Sequence, residues 1–493
     1  MQTELGRRRW RVLTLGSVGM FTGTLLTTIV AVALPKHIGP DLSLTYSEAL
    51  WVQAIFPLAM SVSLIPVGRI ADRFGLMRFY LLGLAIYGVF SIACALAFSG
   101  PFLIAVRFLQ GVGGAFMAAT SMALVTAVFP PEERGRSLGI NAMAGYLGLM
   151  AGPPLGGVIV SHISWRWIFL ITLPLVLVTL VNGWFLLAPE RRDRAAGPER
   201  PAARKGAAID WTGTLLLGLV MATLLVPLIS VPFWGWLSPL TLGMLGGFVV
   251  LLALFILVEH RVHEPVLNLD MVRKNRVFAA GTTAALLNYA AVYGVTTLTA
   301  AFLEIVEGYS PQQAGLILLT SPVFIAGLSA PFGWLSDRIG QRIPATAGML
   351  LAAAGTVQLG LLPSPAPDWR VIVSLACVGL GMAAFSSPNT SSVMGSVKRT
   401  ELSLASGFLG TMRTAGQGVS IGLLGAIAAS GLGPTGGRVL FLGERATAAA
   451  AETFGGGYRT AMLVAAGLAF LGAMVSMVRG PRTEQTTGDR PTP

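Results

Sequence analysis

Runs of about twenty apolar residues recur along nearly the whole chain, and they constrain the fold more than any other feature. A helix of that length crosses the hydrocarbon of a bilayer. Inside the bilayer every backbone polar group must be satisfied within the protein, so each run has to be a helix. Fourteen runs qualify: 12–35, 48–67, 79–99, 102–128, 138–160, 167–188, 211–231, 239–259, 277–305, 312–334, 343–363, 371–394, 404–429 and 458–478. Charged residues make up 11% of 493 and mean hydropathy is +0.72, whereas soluble domains carry about 25% charge. The expected class is an all-α integral membrane protein.

Charge orients the spans. Twenty-six of the 34 Lys and Arg fall in segments on the face of the N-terminus, and six fall on the other face. The basic face is the cytoplasmic one, and an even number of spans puts both termini there. The formal charge of +12 is explained by this asymmetry, and no basic stretch interleaved with aromatics points to nucleic acid. Cys94 and Cys377 both fall within apolar runs and read as small core residues. Two connections exceed the rest: the Arg/Pro-rich 189–210, expected as a cytoplasmic linker, and the Gly/Ala-rich 431–456, expected as an external surface loop.

One short charged segment occurs twice. Gly68-Arg69-Ile70-Ala71-Asp72-Arg73-Phe74-Gly75-Leu76-Met77-Arg78 follows the second span, and Gly333-Trp334-Leu335-Ser336-Asp337-Arg338-Ile339-Gly340 follows the tenth, 265 residues later. Its reading is a loop in which Gly68 and Gly75 allow tight backbone turns. Asp72 and Asp337 can accept from N–H groups at a helix N-terminus, while Arg73, Arg78 and Arg338 hold the loop to carboxylates or headgroups. Two copies at matching places imply a duplication. Residues 1–188 and 277–493 form six-helix, pseudo-symmetric bundles, and 189–276 hold a linker and two inserted helices.

Two further motifs lie within spans. Arg107 shares a helical face with Gln110, followed by Gly111; a buried arginine needs polar surroundings, so it faces the interior or snorkels to the nearby surface. Gly148, Gly152 and Gly156 are four apart with Pro153, Pro154 and Gly157 beside them, making a smooth face and a kink.

With these segments in hand, the chain resembles a major facilitator superfamily transporter of the fourteen-helix drug:proton antiporter group. The doubled charged loop, the Arg107–Gln110–Gly111 motif and the Gly148–Gly157 antiporter motif carry the resemblance. Trp165–Phe169, Gly308–Pro311, Ser387-Pro388-Asn389 and Arg413 extend it. It implies an exporter of amphipathic or hydrophobic molecules in the cytoplasmic membrane of a prokaryote, working by alternating access. Protons and a small amphipathic molecule would be its partners, the protein would be a monomer, and no cofactor or metal is implied. It also implies that Asp72 docks near Ser403–Ser406, and internal symmetry places Asp337 near Arg136–Ser137. The chain departs from the family at span 1, where Leu26 holds the place of the usual acid, and at Phe56, where Tyr is usual.

For proton coupling that leaves Glu304, with Arg107 tuning the field; the alternative for Glu304 is an ionised interfacial group beside Glu307. Thr28, Gln110, Asn141, Asn288, Tyr289, Tyr293 and Asn389 are the candidate cavity residues, or else packing residues of the spans. A lipid or glycolipid flippase of the same fold is the alternative function. No zinc-site motif or nucleophile–base set suggests an enzyme.

Overall fold

The computed structural model describes residues 2–44, 46–196, 211–262, 269–309, 311–429 and 448–478, and these are helical with short connections. The long helices are α1 (Gln2–Ala33), α2 (Tyr46–Phe74), α3 (Leu76–Ala95), α4 (Gly100–Val128), α5 (Arg134–His162), α6 (Leu173–Ala196) and α7 (Trp211–Trp234). They continue as α8 (Pro239–Glu259), α9 (Arg276–Ile305), α10 (Thr320–Ile339), α11 (Arg342–Gly360), α12 (Asp368–Gly395), α13 (Leu402–Val419) and α14 (Ala448–Met477). Among the described residues, 12 helices are long and apolar enough to cross a membrane. The other two expected positions hold α7, whose apolar stretch is Thr212–Pro227, and α13, which carries Arg413.

Packing within each part of the chain follows glycine and small-residue faces. In the first part α1 lies on α5 and α4, with α2 and α3 also against α4; later, α11 lies on α12 and α14, α9 on α13 and α14, and α10 on α12. Two seams join the parts, α5 to α10 and α2 to α13. Helices α7 and α8 pair with each other, and α7 reaches α2 and α13. Helix α8 turns Leu240, Val249, Val250 and Leu257 outward, as a helix facing lipid must. Two tyrosines bind α3 to α1: the Tyr80 and Tyr87 hydroxyls donate to the carbonyls of Leu15 and Thr22.

Three expectations are corrected. The repeated charged segments are not loops: Gly68–Phe74 and Gly333–Ile339 are the last turns of α2 and α10. Only Gly75 (φ +111°) and Gly340 (φ +87°) break the helices, in the left-handed region that suits glycine. Charged residues continue the helices out of the apolar zone because they need water and not a turn. The tenth expected span is two helices, Pro311–Leu318 and α10. The thirteenth passes into a π-helical turn, Ser420–Leu424, before Gly425–Ala429, and a similar turn, Leu34–Ile38, ends α1. The linker beyond Ala196 and most of 431–456 lie outside the described residues; α14 begins at Ala448, ten residues before the expected span.

Candidate functional site

The two repeated aspartates each cap a helix of the other part of the chain. Helices α5 and α13 both begin after a single 3₁₀ turn, Pro131–Glu133 and Arg399–Glu401, and neither N-cap glutamate caps its own helix. Asp337 supplies the first cap, accepting from Gly135 N (2.8 Å) and Arg136 N (3.0 Å). Asp72 supplies the second, accepting from Leu404 N at 2.8 Å. A carboxylate there satisfies N–H groups left unpaired by the helix and faces the positive end of its dipole.

Glycines set the distance across both seams. A Cβ on Gly139 would lie 2.6 Å from Ser329 O, and one on Gly407 would lie 2.4 Å from Leu64 O. Ser329 follows Leu64 by the same 265 residues that separate the two aspartates. Gly333 meets Gly135 backbone to backbone, and the Ser387 hydroxyl donates to Gly135 O at 2.7 Å. Arg338 stacks over Trp334 at 3.9 Å and Arg73 over Phe74 at 5.5 Å, while Arg78 is exposed.

The Gly148–Gly157 motif joins α5 to α1. Added Cβ atoms at Gly148 and Gly152 would meet Phe21 O at 2.4 Å and Thr28 Oγ1 at 1.8 Å; Gly156 faces Ile29, and Gly157 is open. Thr28 is therefore a packing partner of Gly152. The side chain of Pro153 lies outside the described residues. Leu26 is wholly buried in an apolar cluster with Ile29, Val30 and Phe56, so nothing titrates at that place.

Arg107 is 1% exposed and faces inward. Its Nη1 donates to Gln110 Oε1 (2.9 Å), its Nε to Val52 O (3.3 Å), and its guanidinium lies 4.8 Å from the Phe56 ring centroid. Gln110 Nε2 donates to Ser91 Oγ at 2.7 Å. The charge is thus spread into a closed set of hydrogen bonds between α2, α3 and α4, where phenylalanine in place of tyrosine supplies the ring face.

A second cluster spans both parts. Tyr289 packs with Ile325, Met382 and Tyr146. Arg413 sits 5.7 Å from the Tyr289 ring, donates to Thr390 Oγ1, and reaches Met122 Sδ at 3.9 Å. Of the other candidates, Asn141 donates to Ser121 Oγ (3.0 Å), Asn288 is fully buried with neither amide atom hydrogen-bonded, and Asn389 is fully buried. Tyr293 and Glu304 are exposed on α9, apart from this cluster.

On the opposite face, Asp41 accepts from Trp165 Nε1 (2.8 Å) and Arg166 Nη1 (2.9 Å), and Arg166 also reaches Ala97 O. These bonds, Trp165 first, hold the Asp41 carboxyl below its ordinary range. Tyr309 bonds Asp368, which raises the phenol's pKa.

The sequence profile of the Major Facilitator Superfamily matches residues 16–421 and 282–492. The chain belongs to the Major Facilitator Superfamily. It is 33% identical over 430 residues to the multidrug resistance protein Stp of Mycobacterium tuberculosis, covering 87% of this chain and 78% of that one. It is 31% identical over 427 residues to the tetracenomycin C resistance and export protein of Streptomyces glaucescens, covering 86% and 77%. Among solved structures, the human organic anion transporter MFSD10 (TETRAN) shares the fold with a TM-score of 0.63 at 15% identity, covering 95% and 99%. Within the superfamily, this multi-pass membrane transporter groups with drug-efflux proteins.

Sequence reasoning missed Tyr146, Thr390, Ser91 and Ser121. Tyr146 had a signal, as an aromatic two residues from the smooth glycine face of α5; the others depend on contacts between helices distant in the chain.

Proposed function

We propose that this transporter exports amphipathic or hydrophobic small molecules across a prokaryotic cytoplasmic membrane by alternating access, as a monomer. Fourteen spans carry it, with α7 and α8 inserted between two six-helix halves and both termini cytoplasmic. The observation that carries the reading is the pair of reciprocal caps. Asp72 and Asp337 hold the cytoplasmic ends of the two halves together through backbone N–H groups, and such bonds can be broken and remade as the halves rock. The drug-efflux names of the relatives set the direction of transport.

The proton gradient drives the cycle, supplying about 2.3 kcal/mol per charge per 100 mV. Every Asp or Glu within the candidate spans falls in a first or last turn, so a carrier has to work from a helix end. Glu304, exposed at the external end of α9, is placed to load from outside.

The test is transport in proteoliposomes with neutral, anionic and cationic amphipathic dyes, with and without an imposed pH gradient. Accumulation of at least one dye under the gradient is expected. Failure of all three would refute export, and transport indifferent to the gradient would refute coupling. Glu304→Gln should abolish gradient-driven accumulation; unchanged accumulation would remove it as the carrier.

A further inference from the structure

Among the described residues, Asp and Glu occur in the candidate spans only in a first or last turn, whereas Arg107 in α4 and Arg413 in α13 lie deeper and are both arginines. Leu26, at the place in α1 where the family resemblance leads one to expect an acid, is buried among apolar residues. A cation entering between the halves would meet repulsion with no counter-charge, at a depth where water screens weakly.

The two arginines differ in what they leave unsatisfied. Arg107 is sealed at 1% exposure between a carbonyl, an amide oxygen and a ring. Arg413 is only partly buried, and its partners are weak: a threonine hydroxyl, a thioether sulfur at 3.9 Å and the face of Tyr289. Its Nε is buried with no hydrogen bond. A guanidinium offers five N–H donors in a fork suited to paired oxygens, and no carboxylate or carbonyl among the described residues accepts from this one. Tyr146 and Tyr289 stand beside it, from different halves of the chain, with Met382 as an adaptable apolar wall.

We propose that Arg413 is the recognition group for an oxyanion on an aromatic substrate: a carboxylate or phenolate is held by the guanidinium while the ring system lies against Tyr146 and Tyr289. The assignment rests on the export reading above and narrows its substrate class to aromatic anions. Because Tyr146 and Tyr289 belong to opposite halves and touch one another, the surface they offer a ring is whole only when the halves are together, and parting the halves divides the site.

A matched set of three-ring probes tests this with the full-length transporter in nanodiscs: 9-anthroate (anion), 9-anthracenemethanol (neutral) and 9-anthracenylmethyl-trimethylammonium (cation). Wild-type protein should bind 9-anthroate about ten- to a hundred-fold more tightly than either of the others, the range expected of charge-assisted hydrogen bonds. Arg413→Gln should erase that preference, and Arg413→Lys, which keeps charge but loses the fork, should retain part of it. Equal or tighter binding of the ammonium by wild type would overturn the proposal, as would undiminished 9-anthroate affinity in a folded Arg413→Gln. The wild-type preference decides the matter alone if that variant does not fold. Binding of none of the three, with dyes still exported in proteoliposomes, would also overturn it while export stands; loss of all dye transport would instead refute export.

Discussion

Alanine at Gly139 puts the gate under a load that can be worked out from the seam. The added Cβ would lie 2.6 Å from Ser329 O, 2.8 Å from Ala330 Cα and 3.0 Å from Ser329 C. Such atoms normally meet at about 3.5 Å, so α5 and α10 have to part by roughly 0.9 Å. The opposing atoms are backbone, which no rotamer change can move aside. Overpacking of this kind costs about 1–3 kcal/mol, and on the proposed alternating-access cycle it falls on the cytoplasmically closed state alone. The ratio of closed to open molecules should therefore fall about five- to 150-fold. Gly407→Ala, whose Cβ would meet Leu64 O at 2.4 Å, should do the same at the second seam. Spin labels on Glu132→Cys and Arg342→Cys, both exposed beside the α5–α10 seam, report the change by pulsed electron resonance once Cys94 and Cys377 are replaced. Gly243→Ala, with nothing within 4 Å of its Cβ, is the control. An unchanged distance distribution in Gly139→Ala and Gly407→Ala would refute the account of these seams as a gate that opens.

Three further outcomes follow from other parts of the structure. Asp337→Asn keeps the shape of the cap but loses its charge, and should weaken the closed state by about 1.5–3 kcal/mol, read as longer distances between the same labels. Gln110→Leu removes an acceptor from buried Arg107 and a donor from Ser91, and should lower thermal stability by about 1–3 kcal/mol, measured by melting of the purified protein. Asp41 has a depressed folded pKa, so its contribution is complete above the unfolded value, near 3.8, and is lost as pH falls through the lower folded one. Wild type should therefore lose thermal stability below about pH 4 more steeply than Asp41→Asn, and identical pH profiles would count against that clasp.

The apolar runs located nearly every long helix, because span length is dictated by the bilayer and is written directly in composition. The family resemblance pointed Asp72 to the helix start near Ser403–Ser406, and internal symmetry pointed Asp337 to Arg136–Ser137; the carboxylates accept from Leu404 N and from Gly135 N and Arg136 N there. Periodic spacing also showed that Gly148 and Gly152 face a neighbouring helix. It could not show that Thr28 is that neighbour's contact, or that Tyr146 reaches Tyr289 and Gln110 reaches Ser91, because such pairs are fixed by the rotation of each helix about its axis. The helical course of Gly68–Phe74 escaped because charge and glycine resemble turn chemistry, whereas only Gly75 breaks the helix.

The two tyrosines that tie α3 to α1 act as a vernier between those helices. Tyr80 and Tyr87 are seven residues apart, as are the carbonyls they hold, Leu15 and Thr22. Seven residues return almost to the same side of a helix after two turns, so both phenols fit only one alignment, and a slip of a single residue would unseat both together. On the proposed alternating-access cycle, sliding of α1 along α3 would break both bonds at once, so the two helices should travel as one piece, with the widened turn Leu34–Ile38 beyond the tied stretch.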